Sequence, residues 1–278
     1  MRIPLGDLTF DVSTGGPEGG PPVLLLHGFP ENARMWDGVV PTLHEAGLRT
    51  YAPDQRGYSP GARPGEVSAY KIGELVGDVL GLMDALELPA VDLVGHDWGA
   101  IVGWHVAARH PDRVRSWTAV AVPHPMAFAE VVKRDTDQKR RSAYILAFKA
   151  PFVPEKTLLA GNATVLRRIF DPLPDEQRDT FVRPMREPGA LTAALNWYRA
   201  MGRADLDGLG PVTVPTTYIW GAEDVAVGRA AAERCAVHMT GEFEFVELPG
   251  VSHWVPEQEP ATVARLILAR VAGERPAT

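Results

Sequence analysis

The sequence predicts an α/β protein whose mostly parallel sheet is covered by helices on both faces. Short apolar runs rich in β-branched residues alternate with segments of helical periodicity along most of the chain, which is the pattern of a parallel sheet. One long internal segment departs from this pattern and shows helical signals only. With 278 residues, of which 45% are hydrophobic, the chain has ample material for one core.

The first elements follow in the order expected of such a sheet. Arg2–Val12 alternates weakly and indicates a β-hairpin, and the Gly/Pro-rich residues 13–22 indicate a loop. The next predicted elements are strand Val23–Leu26, helix Trp36–Ala46, strand Leu48–Pro53, helix Tyr70–Leu86, a strand beginning at Val91, a helix ending near His110, and strand Val114–Val122.

The strand signal vanishes from about His124 to about Gly210. A stretch of roughly 85 residues is far longer than an ordinary connection, so we predict a separate helical unit. The expected helices are Met126–Lys133, Lys139–Lys149, Ala163–Phe170, Asp175–Arg183 and Ala190–Met201. The sheet then resumes with strand Thr216–Trp220, helix Val227–Val237, strand Phe243–Leu248 and helix Pro260–Val271. We therefore predict a core domain from residues 1–123 and 210–278, and a helical cap domain over residues 124–209.

Composition excludes several classes of protein. The net charge of −7, with no basic cluster, argues against a nucleic-acid partner. Cys235 is the only cysteine, so neither a disulfide framework nor a thiolate metal site is expected. Met1–Leu5 begins no long apolar segment, and no run reaches the ~20 residues of a membrane helix. We expect a soluble cytoplasmic protein without cofactor or metal, and leave a homodimer open.

One stretch organises the rest of the chain. An apolar strand beginning at Val91 ends in Gly95-His96-Asp97-Trp98-Gly99, and a small-residue helical pattern starts at once. This is a strand, a tight turn and a helix, with the Asp97 carboxylate at the apex and glycines that allow strand and helix to approach closely. The alternative hypothesis is that Asp97 only caps the N-terminus of the following helix.

Two further titratable side chains follow later strands. Asp224 comes after Thr216–Trp220, and His253 comes after Phe243–Leu248. Nucleophile, acid and then histidine is the chain order of an α/β-hydrolase triad. Glu223 is an alternative for the acid. We predict structural roles for three other histidines near functional turns: His27, His96 and His124.

The chain resembles α/β-hydrolase-fold enzymes of the epoxide hydrolase and haloalkane dehalogenase branch. The segments that carry the resemblance are His27-Gly28-Phe29-Pro30, Gly95-His96-Asp97-Trp98-Gly99, Asp224 after its strand, and Gly250-Val251-Ser252-His253-Trp254. The resemblance implies that a carboxylate nucleophile, Asp97, displaces a leaving group at a saturated carbon and forms an ester. His253, oriented by Asp224, would then activate water, and the N–H groups of Phe29 and Trp98 would stabilise the oxyanion.

The leaving group separates the members of this branch. An epoxide oxygen leaves as a strong base and needs a proton donor, for which tyrosine is suited. Within the expected cap, Tyr198 in Asn196-Trp197-Tyr198-Arg199 and Tyr144 in Ser142–Phe148 resemble the ring-opening tyrosines of epoxide hydrolases. We therefore predict an epoxide hydrolase that acts on a small-molecule epoxide. The alternatives are a haloalkane or haloacid dehalogenase and a non-catalytic ligand-binding protein on the same scaffold.

Overall fold

The computed structural model describes residues 1–274 and contains one eight-stranded sheet. The sheet order is β1-β2-β4-β3-β5-β6-β7-β8. The strands are β1 (Arg2–Leu5), β2 (Leu8–Gly15), β3 (Pro22–Leu26), β4 (Arg49–Pro53), β5 (Val91–His96), β6 (Val114–Val120), β7 (Thr216–Gly221) and β8 (Phe243–Leu248).

The sheet is mostly parallel, as predicted. β1 pairs with β2, and β2 with β4, in the antiparallel sense, whereas all pairs from β4 to β8 are parallel. β2 runs three residues further than the predicted hairpin, because residues 13–15 pair with β4 instead of forming a loop. Every residue of β5 and of β7 is buried, which requires cover on both faces of the sheet.

Twelve α-helices lie within residues 1–274. Those outside the long segment between β6 and β7 are α1 (Val40–Glu45), α2 (Ile72–Ala85), α3 (Trp98–Arg109), α10 (Arg229–Arg234), α11 (Val255–Gln258) and α12 (Pro260–Val271). α1 packs against α12, and α2 packs against α3, and both pairs contact the sheet. The predicted α/β fold class is confirmed.

The segment between β6 and β7 is helical, as expected. Its helices are α4 (Pro125–Arg134), α5 (Thr136–Arg141), α6 (Ala143–Lys149), α7 (Val153–Ile169), α8 (Asp175–Met185) and α9 (Ala190–Ala200). We call residues 125–200 the helical insertion. It lies against the core near the carboxyl ends of the strands: the indole N–H of Trp197 donates to the Arg56 carbonyl at 2.9 Å, and the Tyr198 ring contacts the Phe29 and Trp98 rings.

Four predicted helices had wrong boundaries. The helix expected over Val227–Val237 is an α-helix only over Arg229–Arg234 and continues as a 3-10 helix over Cys235–His238. The helix expected over Lys139–Lys149 is two helices, which meet at Ser142. There the backbone hydrogen bonds shorten their spacing, because the Ile145 N–H donates to the Ser142 carbonyl, three residues earlier. The helix expected at Ala163 is the second half of α7, which is kinked at residues 160–163. The helix expected from Trp36 begins at Val40, with Pro41 in its first turn, where no N–H is needed.

Hydropathy gives no sign of a bilayer-crossing helix: within residues 1–274, none is both long and apolar enough to span a membrane.

Candidate active site

Asp97 occupies the turn between β5 and α3. Its backbone has φ 49° and ψ −116°, a strained conformation that costs of order 1–3 kcal/mol for a non-glycine residue. A Cβ on Gly95 would lie 2.4 Å from the Gly99 carbonyl oxygen, and one on Gly99 would lie 2.3 Å from the Leu26 carbonyl oxygen. The two glycines therefore let β5, α3 and β3 approach this closely. The Asp97 side chain makes no capping hydrogen bond to α3, which disfavours the helix-cap reading.

The Asp97 carboxylate faces the loop that follows β3. The Phe29 N–H donates to Asp97 Oδ1 at 2.8 Å. Gly28 makes room for this contact, since a Cβ there would lie 2.4 Å from Asp97 Cβ. Burial opposes ionisation of Asp97, but His253, His96 and the Phe29 N–H outweigh it and lower the pKa of the carboxyl. Asp97 is thus held as an anion, the form a carboxylate nucleophile needs.

His253 lies between two carboxylates. Its Nε2 is 3.5 Å from Asp97 Oδ2, and its Nδ1 is 2.8 Å from Asp224 Oδ2. Asp224 is fixed by the backbone N–H groups of Ala226 and Val227, which donate to its Oδ1 at 2.7 and 2.9 Å. Burial opposes protonation of His253, but Asp224 and then Asp97 reverse the balance and raise the pKa of the imidazole.

The three predicted triad residues therefore come together in space. Asp224 is buried and reaches His253, whereas the alternative acid Glu223 is exposed. The arrangement places a base next to the group that would carry the ester, with the Asp224 carboxylate orienting its ring.

The two predicted tyrosines lie together on the helical insertion. Tyr198 is buried on α9, and its ring is 5.2 Å from the Phe29 ring and 5.2 Å from the Trp98 ring, both edge-on. Tyr144 is half-buried on α6, with its ring centre 6.1 Å from that of Tyr198. Burial, with the negative charge of Asp97 among the further causes, raises the pKa of both phenols. Both therefore remain protonated donors near the carboxylate.

The two predicted oxyanion donors differ in what they contact. Phe29 already donates its N–H to Asp97. Trp98 lies at the first position of α3, where helix geometry leaves the N–H free, and within residues 1–274 it donates no hydrogen bond to the Asp97 carboxylate. Its N–H is thus available to a new oxygen atom at the helix N-terminus.

Sequence reasoning missed two residues that hold the Asp224 loop. Gln138 on α5 is buried, donates to the Ala226 carbonyl at 2.8 Å and accepts from the Gly228 N–H at 2.8 Å. Arg141 donates to the Asp224 carbonyl at 2.5 Å. No motif marks either residue, because the contact joins segments 83 to 90 residues apart in the chain.

The histidines taken as structural have distinct partners. His27 accepts from the Gln55 N–H at 3.0 Å and shapes its own loop, and burial lowers its pKa to about 4. His124 accepts from the Met126 N–H at the start of α4. His96 is closer to the site than expected: its Nε2 is 2.9 Å from the His253 carbonyl oxygen, and its Nδ1 is 2.9 Å from Glu31 Oε2. Across residues 1–274, no cluster of three or more candidate ligands could hold a metal ion.

Comparison with known proteins identifies the class. Residues 21–260 match the model of the alpha/beta hydrolase fold family. The chain is 36% identical to the AB hydrolase superfamily protein YfhM of Bacillus subtilis, over 94% of this chain and 93% of that protein. It is 32% identical to epoxide hydrolase A of Mycobacterium tuberculosis, over 94% of each chain.

Solved structures agree. The crystal structure of epoxide hydrolase A from Mycobacterium thermoresistibile superposes with a TM-score of 0.86 at 30% identity, over 99% of this chain and 98% of that one. An epoxide hydrolase from Vigna radiata superposes with a TM-score of 0.85 at 27% identity, over 98% and 97%. The chain therefore belongs to the α/β-hydrolase family, in the group that contains these epoxide hydrolases.

Proposed function

We propose that this protein hydrolyses an epoxide to a vicinal diol through a covalent ester on Asp97. The observation that carries the proposal is the placement of two protonated phenols, Tyr144 and Tyr198, near a carboxylate that is paired with His253. An alkoxide leaving group needs a proton donor of this kind, whereas a halide needs only N–H donors. The relatives named as epoxide hydrolases support the same activity.

In the first step, an Asp97 carboxylate oxygen attacks one carbon of the epoxide and the carbon–oxygen bond breaks. Tyr144 and Tyr198 donate hydrogen bonds to the departing oxygen, and one of them supplies its proton. The aromatic rings around Tyr198, including Phe148 at 5.1 Å, give the reacting carbon an apolar environment. In such surroundings the attraction between charge and donor is stronger than in water.

In the second step, water attacks the ester carbonyl of Asp97, and the bond from that carbonyl carbon to the diol oxygen breaks. The two protons of the water pass to the diol oxygen, by way of His253, and to the tyrosinate left by the first step. His253 takes the proton from this water, and Asp224 stabilises the imidazolium through the contact at 2.8 Å. Ester formation also removes the negative charge of Asp97, one of the groups that raise the pKa of His253. The imidazole is therefore easier to hold neutral when it has to act as a base. The N–H groups of Phe29 and Trp98 would bind the oxyanion.

We further propose that residues 124–209 form a cap domain over a core of residues 1–123 and 210–278. The support is the position of Trp197 and Tyr198, which contact the loops after β4 and β3 and the start of α3. A cytoplasmic location, the lack of a nucleic-acid partner and the open question of a homodimer stay predictions. Cell fractionation and light scattering on the purified protein test the first and the last.

The direct test is turnover of styrene oxide to phenylethanediol, followed by chromatography. We expect turnover by the parent enzyme and none by Asp97→Ala. Bromide release from 1-bromobutane, unaffected by changing both Tyr144 and Tyr198 to Phe, would instead indicate a dehalogenase. Binding of both compounds by calorimetry, with turnover of neither, would indicate a ligand-binding protein.

A further inference from the structure

A second set of titratable side chains, none of them used by the reaction above, lies beside His253. Glu31 and His96 are fully buried. Glu257 is on α11, which begins two residues after His253. Glu31 Oε1 and both carboxyl oxygens of Glu257 have no contact with solvent, and no group within residues 1–274 donates a well-formed hydrogen bond to them. These groups need an explanation, because a buried carboxylate without a donor is costly.

The contacts of His96 fix one of its protons. Its Nε2 lies 2.9 Å from the carbonyl oxygen of His253, and a carbonyl can only accept, so Nε2 must carry hydrogen. The opposite nitrogen, Nδ1, lies 2.9 Å from Glu31 Oε2. One further proton therefore occupies that contact, on either the imidazole or the carboxyl.

The contact between Glu31 and Glu257 requires another proton. Both carboxyls are shielded from solvent, α11 packs against the helical turn Ala33–Trp36 that follows Glu31, and each carboxyl acts on the pKa of the other, which places the two side by side. Two carboxylates can only accept, so they repel unless one of them is protonated. With three protons in all, every contact from Glu257 to the His253 carbonyl is a hydrogen bond, and the set of three side chains has no net charge.

The groups around this set agree with that count. Burial raises the pKa of Glu31 to about 7. Burial also raises the pKa of Glu257, and the charge of Glu31 raises it further. Burial lowers the pKa of His96. The other charged or titratable neighbours are Asp97 and His253, which act on both Glu31 and His96. His27 interacts with His96, and Tyr58 interacts with Glu31.

We propose that Glu257 is a positioning residue for the catalytic base. Its protonated carboxyl donates to Glu31, Glu31 and His96 share the next proton, and His96 donates to the His253 carbonyl. α11 is thereby tied through buried groups to the peptide that carries the imidazole, whose ring centre is 5.0 Å from that of His96. This inference rests on the proposed function for its kinetic test only.

The matched pair of variants is Glu257→Gln and Glu257→Met. Gln keeps the shape and a donor, whereas Met keeps the volume and removes the donor. In single turnovers of styrene oxide we expect Glu257→Gln to hydrolyse the ester within about threefold of the parent rate, with the same pH midpoint. Glu257→Met should lose at least about tenfold in ester hydrolysis and shift the midpoint, with ester formation unchanged, because small misplacement of a base is costly. Equal behaviour of the two variants would overturn the proposal.

Infrared spectroscopy tests the protonation without turnover. The parent minus Glu257→Gln difference spectrum at pH 7 should contain the C=O stretch of a protonated carboxylic acid, shifted in D₂O. A difference spectrum with carboxylate bands alone would overturn the proposal, whether or not styrene oxide is a substrate. This measurement also stands if Glu257→Met fails to fold.

Discussion

Asp224→Asn provides a sharp test of how His253 works. The backbone N–H groups of Ala226 and Val227 donate to Asp224 Oδ1, so in the variant the amide oxygen must take that position. The amide NH₂ then faces His253 Nδ1, 2.8 Å away in the parent. A donor there forces the proton of the neutral imidazole onto Nε2, the nitrogen that faces Asp97. His253 could then no longer accept a proton from water on that side.

The expected loss in ester hydrolysis is about 10⁴-fold, the cost of the wrong tautomer in a comparable triad, or about 5.5 kcal/mol of barrier. Ester formation by Asp97 should change by less than about tenfold, since Asp97 keeps its Phe29 donor. Stopped-flow single turnovers and mass spectrometry of the trapped ester would separate the steps. The matched control is Glu223→Gln, the same change at the exposed neighbour, which should behave like the parent. Hydrolysis at the parent rate in Asp224→Asn would refute the reasoning.

Three further results are expected. Changing both Tyr144 and Tyr198 to Phe should slow ester formation by about 10²–10⁴-fold in stopped flow, with hydrolysis of the ester unchanged; equal loss in both steps would contradict the role of the phenols. Gly28→Ala puts a methyl group 2.4 Å from Asp97 Cβ and should abolish turnover with an unchanged circular dichroism spectrum. Activity near that of the parent would show that the loop can shift to accommodate the methyl group, and would contradict the need for glycine there. Glu31→Gln tests pH-linked stability. Burial raises the pKa of Glu31 from 4.5 to about 7, so the parent loses stability as pH rises through that window. Between pH 4 and 8, the free energy of unfolding measured in urea should fall by about 3 kcal/mol more in the parent than in Glu31→Gln. An equal change of this free energy with pH in the two proteins would contradict the prediction.

Much of the fold could be predicted because its signals are local. The apolar runs that became β3 and β5, and the helical period of α2, are visible in short windows of sequence. Two of the errors in helix boundaries fell in the helical insertion. α5 and α6 read as one helix because no proline or glycine separates them, and α7 has a kink that only its packing determines.

The candidate site shows the same contrast between features with a local sequence signal and features that only packing determines. Asp97, Asp224 and His253 could be named because each follows a strand, and the carboxyl ends of parallel strands meet at one edge of the sheet. The supporting residues could not be predicted in this way. Gln138 contacts the Asp224 loop, which lies about 90 residues away in the chain. The role proposed for Glu257 depends on the buried Glu31, which only the folded structure brings next to it. Nothing in the local sequence distinguishes such side chains from ordinary helix-surface polar residues.

The most direct measurement of the central claim uses oxygen isotopes. Excess enzyme is mixed with styrene oxide in ¹⁸O-water for a single turnover, and the diol is analysed by mass spectrometry. The account predicts an unlabelled diol and ¹⁸O in the carboxyl of Asp97, because the oxygen added to the substrate comes from that side chain. A labelled diol formed with no label in Asp97 would mean that water attacks the epoxide directly, and would contradict the ester mechanism.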